Sequence, residues 1–245
     1  MSDSGFIGPL TAYNKRTIAR YARRSAAAAL VRKPKKLNKR QIREVKRIVG
    51  NKQEKKYVDV LVDNATTSFA PGIASLTTIP IGDDENTRDG DSVSLTGSID
   101  IRLQLVNALG ATGDSYNTYR FIVFQWKQMV AGTPSASEIL KNGPSGAIDP
   151  FSLYVDNEAG AINVIYDKLF STTGSGSSGS YPVNSNVIVN KHIKLSTKRI
   201  RKKVVFTTSL GTTGMNKIFY LLVSDSDAAT HPTYTLASRV YYTDS

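Results

Sequence analysis

Cysteine is missing from this 245-residue chain, histidine occurs twice and tryptophan once. The first absence excludes disulfides, thiolate zinc sites and cysteine nucleophiles. The second leaves little material for histidine catalysis. Neither His192, in "VNKHIKL", nor His231, before Pro232, stands in a recognisable motif. His192 reads as a sheet-surface residue among lysines, and no catalytic residue is expected. No apolar run approaches the roughly 18 residues of a membrane-crossing helix, so no membrane partner is expected. "SAAAALV" (Ser25–Val31) follows basic residues as a signal-peptide core does, but it has only six apolar residues and runs into more Lys and Arg, too short for that role. Neither G-x-x-x-x-G-K-[ST] nor G-x-S-x-G occurs. "GSGSSG" (Gly174–Gly179) satisfies G-x-G-x-x-G, but "SYPVNSNV" follows it. Phosphate binding needs a helix to start there, so the stretch reads as a surface loop.

Acids are also scarce, but only at one end. Residues 1–56 hold seventeen Lys or Arg against Asp3, Glu44 and Glu54, a net +14, whereas residues 57–245 hold fifteen cations and seventeen acids, a net −2. A strongly basic arm on a near-neutral body is the mark of a polyanion binder. The sequence therefore divides into an arm, 1–56, and a body, 57–245. Within the arm, "NKRTIARYARRSAAAALVRK" is rich in good helix formers. There Arg16, Arg20, Arg23 and Arg24 are spaced to form one stripe on a helix. Pro34 interrupts, and Asn38 is placed to cap a second helix over "KRQIREVKRIV". Such short helices are marginal alone, so the arm is expected to be partly helical or disordered until it meets phosphate or an assembly's inner face.

The residues expected to bind nucleic acid are Lys15, Arg16, Arg20, Arg23, Arg24, Arg32, Lys33, Lys35, Lys36, Lys39, Arg40, Arg43, Lys46 and Arg47. Their cations neutralise phosphates without reading sequence. Tyr13 and Tyr21 lie among them, suited to stacking on unpaired bases. No zinc-finger, basic-zipper or RRM signature accompanies them. Arg32, Lys33, Lys35, Lys36, Lys39 and Arg40 also have the composition of a nuclear-localisation cluster.

From Tyr57 the period becomes two. "YVDVLVD" alternates. "VSLTGSIDIRLQL" places Val93, Leu95, Ile99, Ile101, Leu103 and Leu105 on one face, predicting a long half-buried strand. "YRFIVFQWK" (Tyr119–Lys127) is apolar on both faces, predicting a central strand. "SLTTIPI", "AINVIYDKLF", "VIVNKHIKL", "KIFYLLVSD" and "YTLASRVYY" complete eight strands, with "STKRIRKKVVF" as a basic hairpin-like extension of the sixth and a short helix over Ser135–Asn142. The fold class expected is all-β, an eight-stranded antiparallel jelly roll, with an immunoglobulin-like sandwich as the alternative. "GDDENTRDGD" (Gly82–Asp91) holds five carboxylates in ten residues. It lacks the EF-hand pattern and reads as a solvated acidic loop. Calcium shared at subunit contacts is the only cofactor it suggests, and a salt bridge from Arg88 to an acid, local or across an interface, is a further reading.

"KKYVDV", "IPIGDDENTRDGDSVSLTGSIDIRL", "YRFIVFQWKQ", "INVIYDKLFS", "IFYLLVSD" and "RVYYTDS", in this order, resemble capsid proteins of small circular, Rep-encoding single-stranded DNA viruses, which are similar to satellite tobacco necrosis virus and geminivirus coat proteins. The likeness runs from about Lys55 to Ser245, and Arg88–Gly90 and Tyr166–Ser171 are its most recognisable pieces. It implies a non-enzymatic jelly-roll subunit that assembles with itself, about 60 copies in a T=1 icosahedral shell. It implies a single-stranded genome, DNA in preference to RNA, taken up by an inward arm. It also implies a place in the virion, with assembly in the host nucleus. Loops such as Ala131–Asp149 and Thr172–Asn186 would decorate one surface. From the residues alone two alternatives stay open: a non-assembling nucleic-acid-binding β-sandwich, such as a movement protein or chromatin-like factor, and a jelly-roll enzyme, for which two scattered histidines are poor metal ligands.

Overall fold

The computed structural model describes residues 38, 40–42, 54–107, 116–143, 146–156, 160–173, 188–227 and 231–244. The chain divides into two compact units, Met1–Lys52 and Gln53–Ser245. The described residues of the second form nine strands: β1 (Lys56–Thr66), β2 (Gly72–Ser75), β3 (Ser92–Val106), β4 (Tyr116–Ala131), β5 (Ile162–Thr173), β6 (Ile188–Ser196), β7 (Lys203–Phe206), β8 (Thr213–Ser224) and β9 (Thr233–Asp244). Every pairing between them is antiparallel. One sheet runs β1–β9–β3–β6 and the other β2–β8–β4–β5, and β7 joins them by pairing with both β3 and β8. This is a jelly roll, its order set by long crossovers rather than by hairpins.

The period-two pattern decides which faces meet. Val93, Leu95, Ile99, Ile101, Leu103 and Leu105 of β3 all point into the space between the sheets. There they join Phe121, Val123, Tyr220, Leu222, Tyr234, Leu236 and Val240. Gly97, at φ +67°, sits where β3 slips register against β9 between Thr96 and Ile99, a left-handed position that glycine takes without strain. β4 is central, as its two-sided apolar run requires. It lies between β5 and β8, and its outer residues Ile122, Phe124 and Trp126 form a second core with Phe219, Leu221 and Val223.

Three local expectations need correction. The second strand is Gly72–Ser75, not Ser75–Ile81. Beyond it the Thr77 hydroxyl, not a carbonyl, accepts from the Ile218 N–H (3.0 Å), and Pro80 has no N–H to offer. The extra strand, β7, comes from the basic extension. Only a 3₁₀ turn, Ala136–Glu138, forms where a helix was expected. Ile139 and Leu140 instead turn inward, and the chain pairs with its own return: Lys141 N–H donates to Leu153 O (2.7 Å) and Val155 N–H to Ile139 O (3.0 Å). This loop is thus more than decoration, because Ile139, Leu140 and Ile148 cover the outer face of β4 and β8.

Candidate nucleic-acid interface and the charged loops of the body

Of the fourteen cations assigned to nucleic acid, Arg40 alone lies among the described residues. It is exposed in the first turn of a helix. The cap is the predicted one: Gln41 N–H donates to Asn38 Oδ1 (2.8 Å), and Asn38 N–H donates to Gln41 Oε1 (3.0 Å). This reciprocal pair is a capping box, and Ile42 N–H closes the turn on Asn38 O at 2.9 Å. Lys15, Arg16, Arg20, Arg23, Arg24, Arg32, Lys33, Lys35, Lys36, Lys39, Arg43, Lys46 and Arg47, with Tyr13 and Tyr21, lie outside the described residues. So does "GSGSSG".

Several cations of the body do different work. Arg88 is completely buried. Its nearest carboxylate oxygen, on exposed Asp91, is 3.8 Å away. Its principal partners are carbonyls: Nε donates to Ile79 O (2.9 Å), Nη2 to Thr208 O (2.6 Å) and Nη1 to Gly90 O. The guanidinium also stacks 4.6 Å over the Phe206 ring. The local salt bridge is therefore the lesser part of its role within the subunit. Arg88 is a peg joining the acidic loop to the turn between β7 and β8, and burial lowers its pKa. Lys217, also fully buried, holds the other end of that turn through Gly211 O (3.1 Å) and Thr212 O (2.7 Å). Burial without a carboxylate lowers its pKa to about 8. Gly211 has φ +69°, and a Cβ there would lie 2.3 Å from Ile79 O, so the turn tolerates no side chain at that point.

At the start of β1, Lys56 spans Asp89 (2.9 Å) and Asp244 (3.0 Å), tying the first strand to the acidic loop and the C-terminal strand. Burial alone would lower its pKa, but the two carboxylates outweigh burial and raise it. Arg120 on β4 grips Asp167 on β5 with two nitrogens (3.0 and 2.8 Å), and Tyr154 donates to the same carboxylate at 2.6 Å. This fastens the 146–156 segment to the sheet. Burial opposes ionisation of Asp167, yet the hydrogen bonds from Arg120 and Tyr154 prevail and hold its pKa below the usual carboxylate range.

The basic piece "STKRIRKKVVF" belongs to a longer run of cations. Lys191, Lys194, Lys198, Arg199, Arg201, Lys202 and Lys203 are seven of the body's fifteen cations, and no acid interrupts them. They belong to β6, to a 3₁₀ turn (Thr197–Arg199) and to the approach to β7. Lys194 faces Asp100 at 4.0 Å.

His192 is exposed on β6, paired in register with Arg102. Among the described residues neither histidine hydrogen-bonds to a serine or a carboxylate, and no three His, Asp or Glu side chains are grouped to hold a metal. Arg88 and Lys56 tie the second half of the acidic loop into the fold.

The described body is thus a jelly roll whose loops are fixed by buried cations. No curated protein matches the chain. A solved structure from Desmodium yellow mottle tymovirus aligns at 12% identity with a TM-score of 0.34, covering 78% of this chain and 86% of its own. That likeness is too distant to carry an argument. The family model described as satellite tobacco necrosis virus coat protein matches residues 30–245. The match reaches back past Lys55 into the second half of the arm. By this match and the jelly-roll body, the chain belongs to the satellite tobacco necrosis virus coat protein family.

Proposed function

We propose that this coat protein assembles with copies of itself into a closed icosahedral shell of about 60 subunits, and that the arm draws single-stranded nucleic acid inside. The observation that carries the reading is the segregation of charge, +14 in residues 1–56 against −2 in the rest. Subunits that must touch cannot all carry a large like charge. Moving the excess onto an arm lets the bodies meet while the cations meet phosphate. Sixty such arms bring roughly 840 positive charges, which offset on the order of a thousand phosphates. That is the scale of a very small genome. The absence of a base-reading signature makes the binding non-specific and sensitive to salt. DNA in preference to RNA, and assembly in the nucleus through Arg32–Arg40, rest on the resemblance of quoted segments and on composition.

Expression of the full chain followed by electron microscopy tests the reading. Uniform closed particles whose absorbance reports nucleic acid, digestible by DNase after extraction, are expected. A chain that stays monomeric at every salt concentration with nucleic acid present contradicts it. Extracted nucleic acid digested only by RNase would reverse the choice of genome.

A further inference from the structure

Along one side of the sandwich the edges of the two sheets approach each other, and that side is lined with cations. Among the described residues β6 pairs only with β3 and β5 only with β4, so each is the outermost strand of its sheet. The two edges are neighbours: Lys191 Nζ on β6 sits 5.5 Å from the centre of the Phe170 ring on β5, and Asn163 on β5 donates to Arg199 O (3.2 Å), just beyond β6. Lys191 and Lys194 come from β6, and Lys168 from β5. The chain leaving β6 adds Lys198, Arg199, Arg201, Lys202 and Lys203, and all eight cations are exposed. Among the described residues only Lys194 pairs with a carboxylate, Asp100 at 4.0 Å.

The cations form a line rather than a knot. In the register of β3, Lys191 stands opposite Leu103 and Lys203 opposite Ser94, a distance of about 30 Å at the ~3.3 Å rise of an extended strand. The backbone under the second half of the line is held almost residue by residue. Buried Gln125 accepts from Arg201 N–H (2.9 Å) and donates to Arg201 O (2.8 Å). Leu95 N–H donates to Lys202 O (2.9 Å) and Asn216 to Lys203 O (2.9 Å), and Ile200 is buried. Like charges on a fixed backbone cannot spread apart, so their repulsion persists until an anion arrives. Two half-buried rings stand on the core side of β5 beside the line: Phe170, under Lys191, and Tyr166, which packs edge-on against Phe121 at 6.2 Å.

We infer that this β5–β6 side is a second nucleic-acid contact, on the body, along which a single strand lies with its phosphates on the line from Lys191 to Lys203. A fixed row of cations with rings beside it is what a flexible single strand needs: charge that follows the backbone, and flat faces for unpaired bases. Charge complementarity decides against a second copy as the occupant. The densest acidic run of the body, Gly82–Asp91, holds five carboxylates. Asp89 is taken by Lys56 (2.9 Å) and Asp91 stands 3.8 Å from Arg88, which leaves three for eight cations. A nucleic acid brings one negative charge with every nucleotide. The contact adds to the arm and does not replace it. The arm gathers the strand, and the rigid edge gives part of it a fixed path. The inference rests on the coat-protein reading and adds where the body itself touches the packaged strand.

Ultraviolet crosslinking of wild-type full-chain particles, with the linked residues mapped by mass spectrometry, tests the path without any substitution. Crosslinks at Tyr166 or Phe170 and within residues 191–203 are expected beside those of the arm. Crosslinks confined to residues 1–56, in particles that carry nucleic acid, overturn the inference and leave the coat-protein reading standing. The full-chain variant K198Q/R199Q/R201Q/K202Q then measures the contribution. Against +14 on the arm and eight cations on the edge, the loss of four should lower nucleotides per particle by roughly a fifth, with thermal unfolding and particle yield unchanged. The charge-keeping set K198R/R199K/R201K/K202R should retain the full content. Unchanged content in the neutral variant overturns the inference. So does a fall in particle yield at constant content per particle, which would make the edge a contact between copies. A wild-type chain that forms no particles removes this inference and the coat-protein reading together.

Discussion

The arm and the body use the same two cations in opposite ways. In the arm, Lys and Arg are crowded along sequence with few acids near them, and Arg40, in its described first helical turn, is exposed. By contrast Lys56, the last residue of the arm's span and the first of β1, is buried, as are Arg88 and Lys217 of the body, with Arg120 nearly so. Lys56, Arg88 and Arg120 join segments distant in sequence through carboxylates or carbonyls, and Lys217 closes the turn just before it through two carbonyls. Charge alone therefore does not state a role. A cation surrounded by fixed acceptors is a peg, because removing it leaves buried acceptors without a partner. A cation without fixed acceptors is available to a ligand. The comparison predicts that substitutions among the pegs change stability and leave packaging per assembled particle alone, while substitutions in the arm do the reverse.

The largest expected loss is at Arg88. Arg88→Met strips partners from the carbonyls of Ile79, Gly90 and Thr208. It should cost about 3–5 kcal/mol, lowering Tm by on the order of 10 °C for a body of this size. A Tm within a degree or two of wild type would break the peg reading. Next is Lys217. Its folded pKa, about 8, lies below the ordinary 10.5. Between those values the unfolded chain holds a proton that the folded chain has released, so stability rises with pH across that window. Lys217→Met removes this rise, and the Tm difference between wild type and variant from pH 8 to 10 measures it. Tyr220 and Tyr242, whose pKa values burial raises, oppose the rise only above about pH 10.

Asp167→Asn comes third. It loses the two-nitrogen grip of Arg120 and should cost about 2 kcal/mol. Because the folded pKa of Asp167 is held low, its contribution is present above the ordinary carboxylate pKa and fades as pH falls below about 4. The variant should lack that acid-side decline in chemical denaturation. The smallest effect belongs to Arg239, which grips Asp59 (2.7 and 2.6 Å) on an exposed sheet face. Arg239→Ala should leave Tm unresolved from wild type at physiological salt.

The sequence made the sandwich readable because alternation maps directly onto a half-buried sheet. Val93 to Leu105 and the two-sided run of β4 declared their faces, and Asn38 declared its cap. What stayed hidden depends on contacts between distant segments. Nothing local to Arg88 says that Thr208, 120 residues on, supplies a carbonyl. The 3₁₀ turn at Ala136 stayed short because Ile139 and Leu140 found a better place against β4 and β8 than a helix would give them. The basic stretch "STKRIRKKVVF" was legible as a basic piece, but that its backbone is held by Gln125 and Asn163 was not, because those contacts join distant segments. Most of the arm cations lie outside the described residues, so their proposed role rests on number and order in the sequence.

The most direct test of the division of labour is the nucleic acid carried per particle after deletion of residues 1–50. Absorbance ratio and extraction from purified particles should show the content falling to a small fraction of that of the full chain, while the remaining body keeps its cooperative unfolding transition and its ability to associate. Particles that package as much nucleic acid without the arm would contradict the account, and would place the binding surface on the body.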